Sequence, residues 1–96
     1  MQTENQYANG QVRQSQAGNI LTYYFKTGIV KAQGLLKDNL MDGQWNFYRE
    51  NGVVWQVGNF KKGVKHGSWV RYNKVGALEY EAYFEDGKEV SKRLYH

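Results

Sequence analysis

The chain of 96 residues contains no cysteine and no proline. Without cysteine there can be neither a disulfide framework nor a thiolate zinc site. No apolar run approaches the roughly 20 residues that a membrane-spanning helix needs. The opening MQTENQYANG lacks the basic and apolar regions of a secretory signal. These absences lead us to expect one small cytoplasmic domain.

The residues that are abundant favour a sheet. Eight tyrosines, three tryptophans and four phenylalanines suit strands, and eleven glycines suit turns. The formal net charge of +4 is modest. One basic cluster could meet an anionic partner, although a solvated surface of mixed charge explains it as well. This cluster consists of Lys61, Lys62, Lys65 and His66.

An internal repeat carries most of the information in the sequence. GQWNFYRENG at 43–52 returns as GSWVRYNKVG at 67–76, an offset of 24 residues. The matched pairs are Gly43 and Gly67, Trp45 and Trp69, Tyr48 and Tyr72, Gly52 and Gly76, Phe60 and Phe84, and Gly63 and Gly87. A weaker earlier copy contains Leu21, Tyr24, Gly28, Leu36 and Asn39. The repeat predicts three units, at about 19–42, 43–66 and 67–90, within a repeat domain of residues 19–96. Residues 1–18 form a polar segment for which a degenerate hairpin and a disordered tail both remain open.

The turns predict how the strands are joined. Two sets of three-residue stretches end in Gly or Asn, one including Glu50-Asn51-Gly52 and the other including Lys61-Lys62-Gly63. Because only the third position is restricted, we expect a three-residue loop with a left-handed last residue at every turn. The chain is then all-β: an open, curved antiparallel meander of about six strands, made of three β-hairpin repeats.

These loops predict which residues share a face. One face should carry a ladder of Phe47, Trp55 and Trp69, with an Arg71–Glu79 pair beside it. The other face should carry the column Tyr24, Tyr48 and Tyr72, together with a column of small residues, Gly34, Gly58 and Ala82. Contiguous exposed aromatics mark interaction surfaces. We therefore predict a protein-binding surface formed by Phe47, Trp55, Trp69, Arg71 and Glu79.

The repeat resembles a known family. Gly-x-Trp-x-x-Tyr-x-x-x-Gly followed by Phe-x-x-Gly, written here as GQWNFYRENG with NFKKG and as GSWVRYNKVG with YFEDG, is similar to the MORN repeat and closest to its bacterial variant form. The resemblance covers about residues 19–90 and departs from the pattern at Leu21 and Asn39. It implies a solenoid or curved sheet of β-hairpins that serves as a protein-interaction scaffold. Some members bind phospholipid headgroups, and some bacterial members are antitoxins.

No stretch of the sequence predicts catalysis, a cofactor or a metal site. His66 has no carboxylate or second histidine held beside it by spacing. We therefore expect a non-enzymatic protein-binding module, an antitoxin or immunity-type protein or a scaffold. Binding of lipid headgroups and of single-stranded nucleic acid are the lower-ranked alternatives. Open sheet edges also leave a homodimer as a further expectation.

Overall fold

The computed structural model of the chain describes residues 5–95. Residues 1–4 of the predicted N-terminal segment and residue 96 of the predicted repeat domain lie outside the described residues. Eight strands form one antiparallel sheet in which every strand pairs with its neighbours in sequence. They are β1 Gln14–Ala17, β2 Ile20–Tyr24, β3 Val30–Lys37, β4 Leu40–Tyr48, β5 Val54–Lys61, β6 Val64–Tyr72, β7 Leu78–Glu85 and β8 Lys88–Leu94.

The predicted fold class is confirmed: the described chain is an all-β open meander without a helix. It has eight strands where about six were expected, because strands β1 and β8 flank the central six. Residues 5–95 include no helix of the length and apolarity required to cross a membrane.

Two classes of turn alternate along the sheet. In the first, Arg49 N–H donates to the Val53 carbonyl and Gly52 N–H donates to the Arg49 carbonyl, each at 2.8 Å. This is the predicted three-residue loop, closed by Gly52 at φ 88°. The turns ending in Gly28 and Gly76 have the same two bonds, so the prediction is confirmed for this set.

The second class contradicts the prediction. Lys61 pairs with Val64, which leaves a two-residue turn made of Lys62 and Gly63. Both residues have positive φ, 51° and 84°, as a type I′ turn requires. The turns at Asp38-Asn39 and Asp86-Gly87 are of the same kind. The prediction of a three-residue loop at every turn is therefore wrong for this second set. The predicted pairing of the two strands joined by each of these turns is wrong as well.

The corrected register aligns large and small residues in one row across six strands. The row runs Leu21, Gly34, Trp45, Gly58, Trp69 and Ala82. The small column therefore lies on the tryptophan face, and its predicted place on the tyrosine face was wrong. Strand alternation puts the tyrosines on the opposite face, where Tyr24, Tyr48 and Tyr72 pair with Val30, Val54 and Leu78.

Trp45 and Trp69 each pack directly on a glycine of the preceding strand. A Cβ on Gly34 would fall inside the Trp45 ring system, and a Cβ on Gly58 would fall inside that of Trp69. Both clashes are far shorter than van der Waals contact. The small residues are thus required by the tryptophans, which explains why the two columns repeat together.

Bulges bend the sheet around this row. Between Gly34 and Leu35 the partners jump from Trp45 to Asp42, and Gly43 lies inside this bulge at φ 72°. A bulge of this kind increases local twist and bends the strand. Since no second layer covers the sheet within residues 5–95, Trp45 can reach 0 % exposure only if its own sheet curves around it. Trp69 reaches 4 % exposure in the same way.

A chain of aromatic rings forms the core of this curved face. Neighbouring ring centroids lie 5.4–6.5 Å apart, within the range of favourable aromatic contacts. The rings belong to Tyr23, Trp45, Phe47, Phe60, Trp69 and Phe84. This core joins the three units and places the hairpin ends around one edge of the aromatic face.

Candidate functional site

The three-residue turn occurs once more, before the first strand. Tyr7 N–H donates to the Gln11 carbonyl at 2.8 Å, and Gly10 N–H donates to the Tyr7 carbonyl at 2.9 Å. Gln6 and Val12 form the bridge below this turn. Residues 6–12 therefore form a hairpin with the geometry of the repeat, placed 18 rather than 24 residues before the next equivalent turn.

Two positions recur in each hairpin that has a three-residue turn. The first is the residue that opens the turn, and the second lies six residues later. In the repeat units the second position is a bulge: Tyr48 pairs with Val54 and Phe47 with Gln56, which leaves Trp55 between them without a partner. Lys31 and Glu79 are the corresponding unpaired residues of β3 and of the start of β7.

In the first three hairpins these two positions hold a cation and an aromatic ring in contact. Arg13 lies 4.9 Å from the Tyr7 ring centroid, Lys31 lies 5.8 Å from that of Phe25, and Arg49 lies 5.8 Å from that of Trp55. These distances fall within the roughly 6 Å range of cation–π attraction. In the third pair the order is reversed: the cation, Arg49, opens the turn, and the ring, Trp55, lies six residues later. A pair of this chemistry is thus kept in three successive hairpins.

All six residues of these pairs line one open groove of about 690 Å³. The size is that of a ligand-binding cleft. Its apolar floor is formed by Tyr23, Ala32, Met41, Trp45 and Phe47, and its remaining lining by Gln14, Tyr48 and Glu50. We call this feature the cation–aromatic groove.

The two arginines of the groove are held by backbone carbonyls. Arg13 Nε donates to the Gln6 carbonyl at 3.0 Å, and Arg49 Nη2 donates to the Tyr72 carbonyl at 3.0 Å. The ion pairs within residues 5–95 are His66–Asp86 and Arg71–Glu79, so none of Arg13, Lys31 and Arg49 forms an ion pair with a carboxylate of this part of the chain. The groove is therefore a positively charged, apolar surface.

The predicted ladder of Phe47, Trp55 and Trp69 is not formed. Phe47 and Trp69 do meet, with centroids 5.8 Å apart. Phe47 pairs with Gln56 rather than Trp55, and Trp69 pairs with Gly58. The bulge and the short second turn cause both shifts. Trp55 is 38 % exposed in the groove, whereas Trp69 belongs to the core.

The other two predicted binding residues lie beside the third hairpin. Arg71 Nε and Glu79 Oε2 are 2.8 Å apart, which confirms the predicted pair, although Arg71 lies opposite Tyr80 in the register. Arg71 also lies 4.6 Å from the Tyr80 ring centroid. Partial burial, followed by the hydrogen bond to Glu89, raises the pKa of Tyr80. These residues are outside the groove lining.

The predicted basic cluster is divided between the two faces. Lys65 Nζ lies 4.3 Å from the Trp69 ring centroid and 4.9 Å from that of Phe84, on the aromatic face. Lys61 follows Phe60 on its strand and therefore points to the opposite face. The Asp86 backbone N–H donates to His66 Nδ1 at 3.3 Å. The cluster does not form one continuous patch.

Sequence reasoning missed Tyr7, Arg13, Phe25, Lys31 and Arg49. A usable signal was present: in the first three hairpins the turn-opening residue and the residue six positions later are one cation and one aromatic ring. The first copy escaped because its offset differs from 24. Within residues 5–95 no group of three His, Cys, Asp or Glu side chains could hold a metal ion.

Comparisons with protein-family models, with curated proteins and with solved structures found no match to this chain.

Proposed function

We propose that this chain is a non-enzymatic repeat module that binds another protein in the cation–aromatic groove. The observation that carries the proposal is the repetition of one side-chain pair, a cation on an aromatic ring, at equivalent places of three hairpins around a single cleft. Trp, Tyr and Arg dominate the energetics of protein interfaces. A surface that presents all three around an apolar floor is suited to that use.

The groove changes which residues we assign to binding. Trp55 and Phe47 keep the role given to them from the sequence, since both line the groove. Trp69 is 4 % exposed and serves the core. Arg71 and Glu79 satisfy each other at 2.8 Å. We therefore propose that the binding centre includes Trp55 and Phe47 with the two preceding hairpins.

The alternatives raised by the sequence receive less support from the geometry. Lipid or nucleic-acid binding through the basic cluster needs its cations on one surface, but Lys65 and Lys61 lie on opposite faces. The kinship with MORN repeats, and with it a scaffold or antitoxin role, we keep as part of the proposal because a meander of β-hairpins is the architecture that such kinship implies.

Site-specific photo-crosslinking in the native host tests the proposal. A photo-reactive amino acid at Glu50, an exposed residue on the groove lining, is expected to form an adduct with a protein. The same amino acid at Tyr83, which is 46 % exposed on the opposite face, is the matched control. The Glu50 adduct should disappear in the Trp55→Ala background. Adducts with lipid or nucleic acid, or equal protein adducts at both sites, would contradict the proposal.

A further inference from the structure

We propose that the groove takes an extended, acidic peptide segment of about six residues that carries one apolar anchor side chain. This inference rests on the proposed function and adds the chemistry of the partner. It follows from the length of the groove, its charge, its floor and the way its cations are held.

The length follows from the strands that the groove crosses. Its lining extends from Arg13, just before β1, to Trp55 on β5. Four strand spacings of about 4.8 Å give about 19 Å. An extended chain rises about 3.3 Å per residue, so about six residues span this distance. A single small molecule would touch one or two of the three pairs, whereas a strand-like segment can touch all three.

The charge favours carboxylates on that segment. Three cations, Arg13, Lys31 and Arg49, line the groove against one carboxylate, Glu50. None of the three cations has an ion-pair partner within residues 5–95. Charge complementarity steers association and discriminates between partners. A segment with two or three Asp or Glu residues matches the spread of cations over three hairpins.

The floor favours one apolar side chain. Ala32, Met41 and Phe47 are among its residues, and Trp45 closes it from below with 0 % exposure. Ala32 is 5 % exposed and belongs to the core, so the accessible apolar surface here is that of partly buried Met41 and Phe47, and Met adapts its shape to an incoming side chain. An aromatic or aliphatic anchor buried here would remove water from apolar surface at about 25 cal/mol per Å².

The cations are positioned before the partner arrives. One nitrogen of Arg13 and one of Arg49 each donate a hydrogen bond to a backbone carbonyl. The Tyr7 ring lies against the Arg13 guanidinium group, and the Trp55 ring lies against that of Arg49. Fixing these long side chains in the free protein lowers the entropy lost on binding. Arg49 Nε is buried and has no hydrogen-bond partner within residues 5–95, so the terminal Nη groups of the two arginines are the ones left to donate to carboxylates.

The same features disfavour the other anionic partners. Bases of a single strand stack on free ring faces, but a cation already lies over each of the Tyr7, Phe25 and Trp55 rings. A lipid surface is flat on this scale and would not reach a floor that lies within the curve of the sheet.

Synthetic peptides of about eight residues test the inference on the full chain. The first carries glutamates around a central phenylalanine; the second replaces the glutamates by glutamine; the third replaces the phenylalanine by alanine. Binding is followed by calorimetry and by the fluorescence of the exposed Trp55. The first peptide is expected to bind at least about tenfold more tightly than either of the others. Its affinity is expected to fall several-fold as the salt concentration rises.

Matched variants connect the peptide to the groove. Lys31→Glu should weaken the acidic peptide about tenfold or more, whereas Lys92→Glu, the same charge change on exposed edge strand β8, should leave its affinity within about twofold. Trp55→Ala should lower the affinity for every peptide that binds the natural chain, whereas Tyr83→Ala should leave these affinities unchanged. Circular dichroism verifies that each variant is folded.

The possible results separate the inference from the proposed function. If the glutamine peptide binds as tightly as the acidic one, acidic recognition is overturned while a groove for peptides remains. If no peptide binds but the Glu50 crosslink yields a protein, the peptide chemistry is wrong and protein binding stands. If an oligothymidylate or an anionic phosphatidylserine vesicle binds more tightly than the acidic peptide in a Trp55-dependent way, both are overturned.

Discussion

The second and third repeat units, residues 43–66 and 67–90, share their packing residues and differ in the groove positions. Trp45 and Trp69 each pack on a glycine of the preceding strand. Arg49 and Trp55 of the second unit line the groove, whereas Asn73 and Glu79, at the equivalent positions of the third unit, lie outside its lining. The packing positions are restricted because no Cβ fits beneath a tryptophan. The groove positions have no such restriction, so they can change with the partner.

The two tryptophans also differ in how their indole N–H groups are satisfied. Trp45 Nε1 donates to the Leu35 carbonyl at 2.9 Å, next to the bulge that bends β4. Trp69 Nε1 donates to Gln56 Oε1, also at 2.9 Å. A backbone acceptor cannot be removed by mutation, whereas a side-chain acceptor can. Trp45 is therefore the more firmly fixed of the two.

The largest expected effect is the loss of Trp45. Trp45→Ala should lower the free energy of unfolding by about 3–5 kcal/mol, since it removes a fully buried side chain and leaves a cavity. Trp69→Ala should fall at the lower end of that range because Lys65 and solvent already reach its ring. Urea denaturation followed by circular dichroism measures both. A larger cost at Trp69 than at Trp45 would reverse the comparison.

The next effect concerns the glycines beneath the rings. Gly58→Ala should cost about 1–3 kcal/mol because its methyl group displaces Trp69. Gly52→Ala is the control for backbone strain alone, since a Cβ there meets no atom within 4 Å although φ is 88°; it should cost about 1 kcal/mol.

A double-mutant cycle makes this test specific. In a Trp69→Leu background, Gly58→Ala should cost much less than in the natural chain, because the ring that the methyl group displaces is gone. If the cost is unchanged, the glycine and the tryptophan do not form a packing unit, and the repetition of the two columns needs another explanation.

A smaller, stabilising effect is expected at the two-residue turns. Lys62 has a left-handed backbone at φ 51°, which Asn adopts more readily than Lys. Lys62→Asn should raise the free energy of unfolding by about 0.5–1 kcal/mol in urea denaturation. Val75→Asn lies in the middle of a three-residue loop, at a position without positive φ, and should gain nothing from backbone conformation. Equal gains at both sites would contradict the division of the turns into two classes.

That division explains how far the sequence could predict the fold. The 24-residue period and the strands follow from the local sequence. So do the three-residue loops ending in Gly28, Gly52 and Gly76, because a β-branched residue such as Val75 resists the left-handed region in the middle of the loop. The two-residue turns require positive φ at Asp38, Lys62 and Asp86. Lysine does not favour this conformation by itself, so the pairing of the flanking strands imposes it on Lys62. One misjudged loop length then moves every partner beyond it.

The groove was harder to predict for a related reason. Trp55 was predicted to belong to an exposed aromatic surface, and it is 38 % exposed. Its partner was misjudged because a bulge, which needs the three-dimensional pairing to be seen, separates it from Phe47. The pair Tyr7–Arg13 was hidden by its irregular offset from the later copies. Side-chain chemistry at fixed distance from each turn was the stronger signal.

The smallest expected effect tests whether the third unit's groove positions matter for stability. Arg71 and Glu79 are bonded at 2.8 Å, but their side chains remain 35 % and 41 % exposed. Exposed pairs of this kind contribute about 0.2–1 kcal/mol and are screened by salt. Arg71 keeps its contact with the Tyr80 ring when Glu79 is neutralised, which lowers the loss of stability further.

Glu79→Gln should therefore cost a few tenths of a kcal/mol at low ionic strength in thermal and urea denaturation, and nothing measurable near 1 M salt. Glu85→Gln, an exposed change on the same strand without an ion pair in the described chain, should cost nothing at either salt concentration. A cost above about 2 kcal/mol for Glu79→Gln would make the pair a structural element. The groove positions of the third unit would then be as restricted as its tryptophan, and the separation of fold from binding that the two units suggest would not hold.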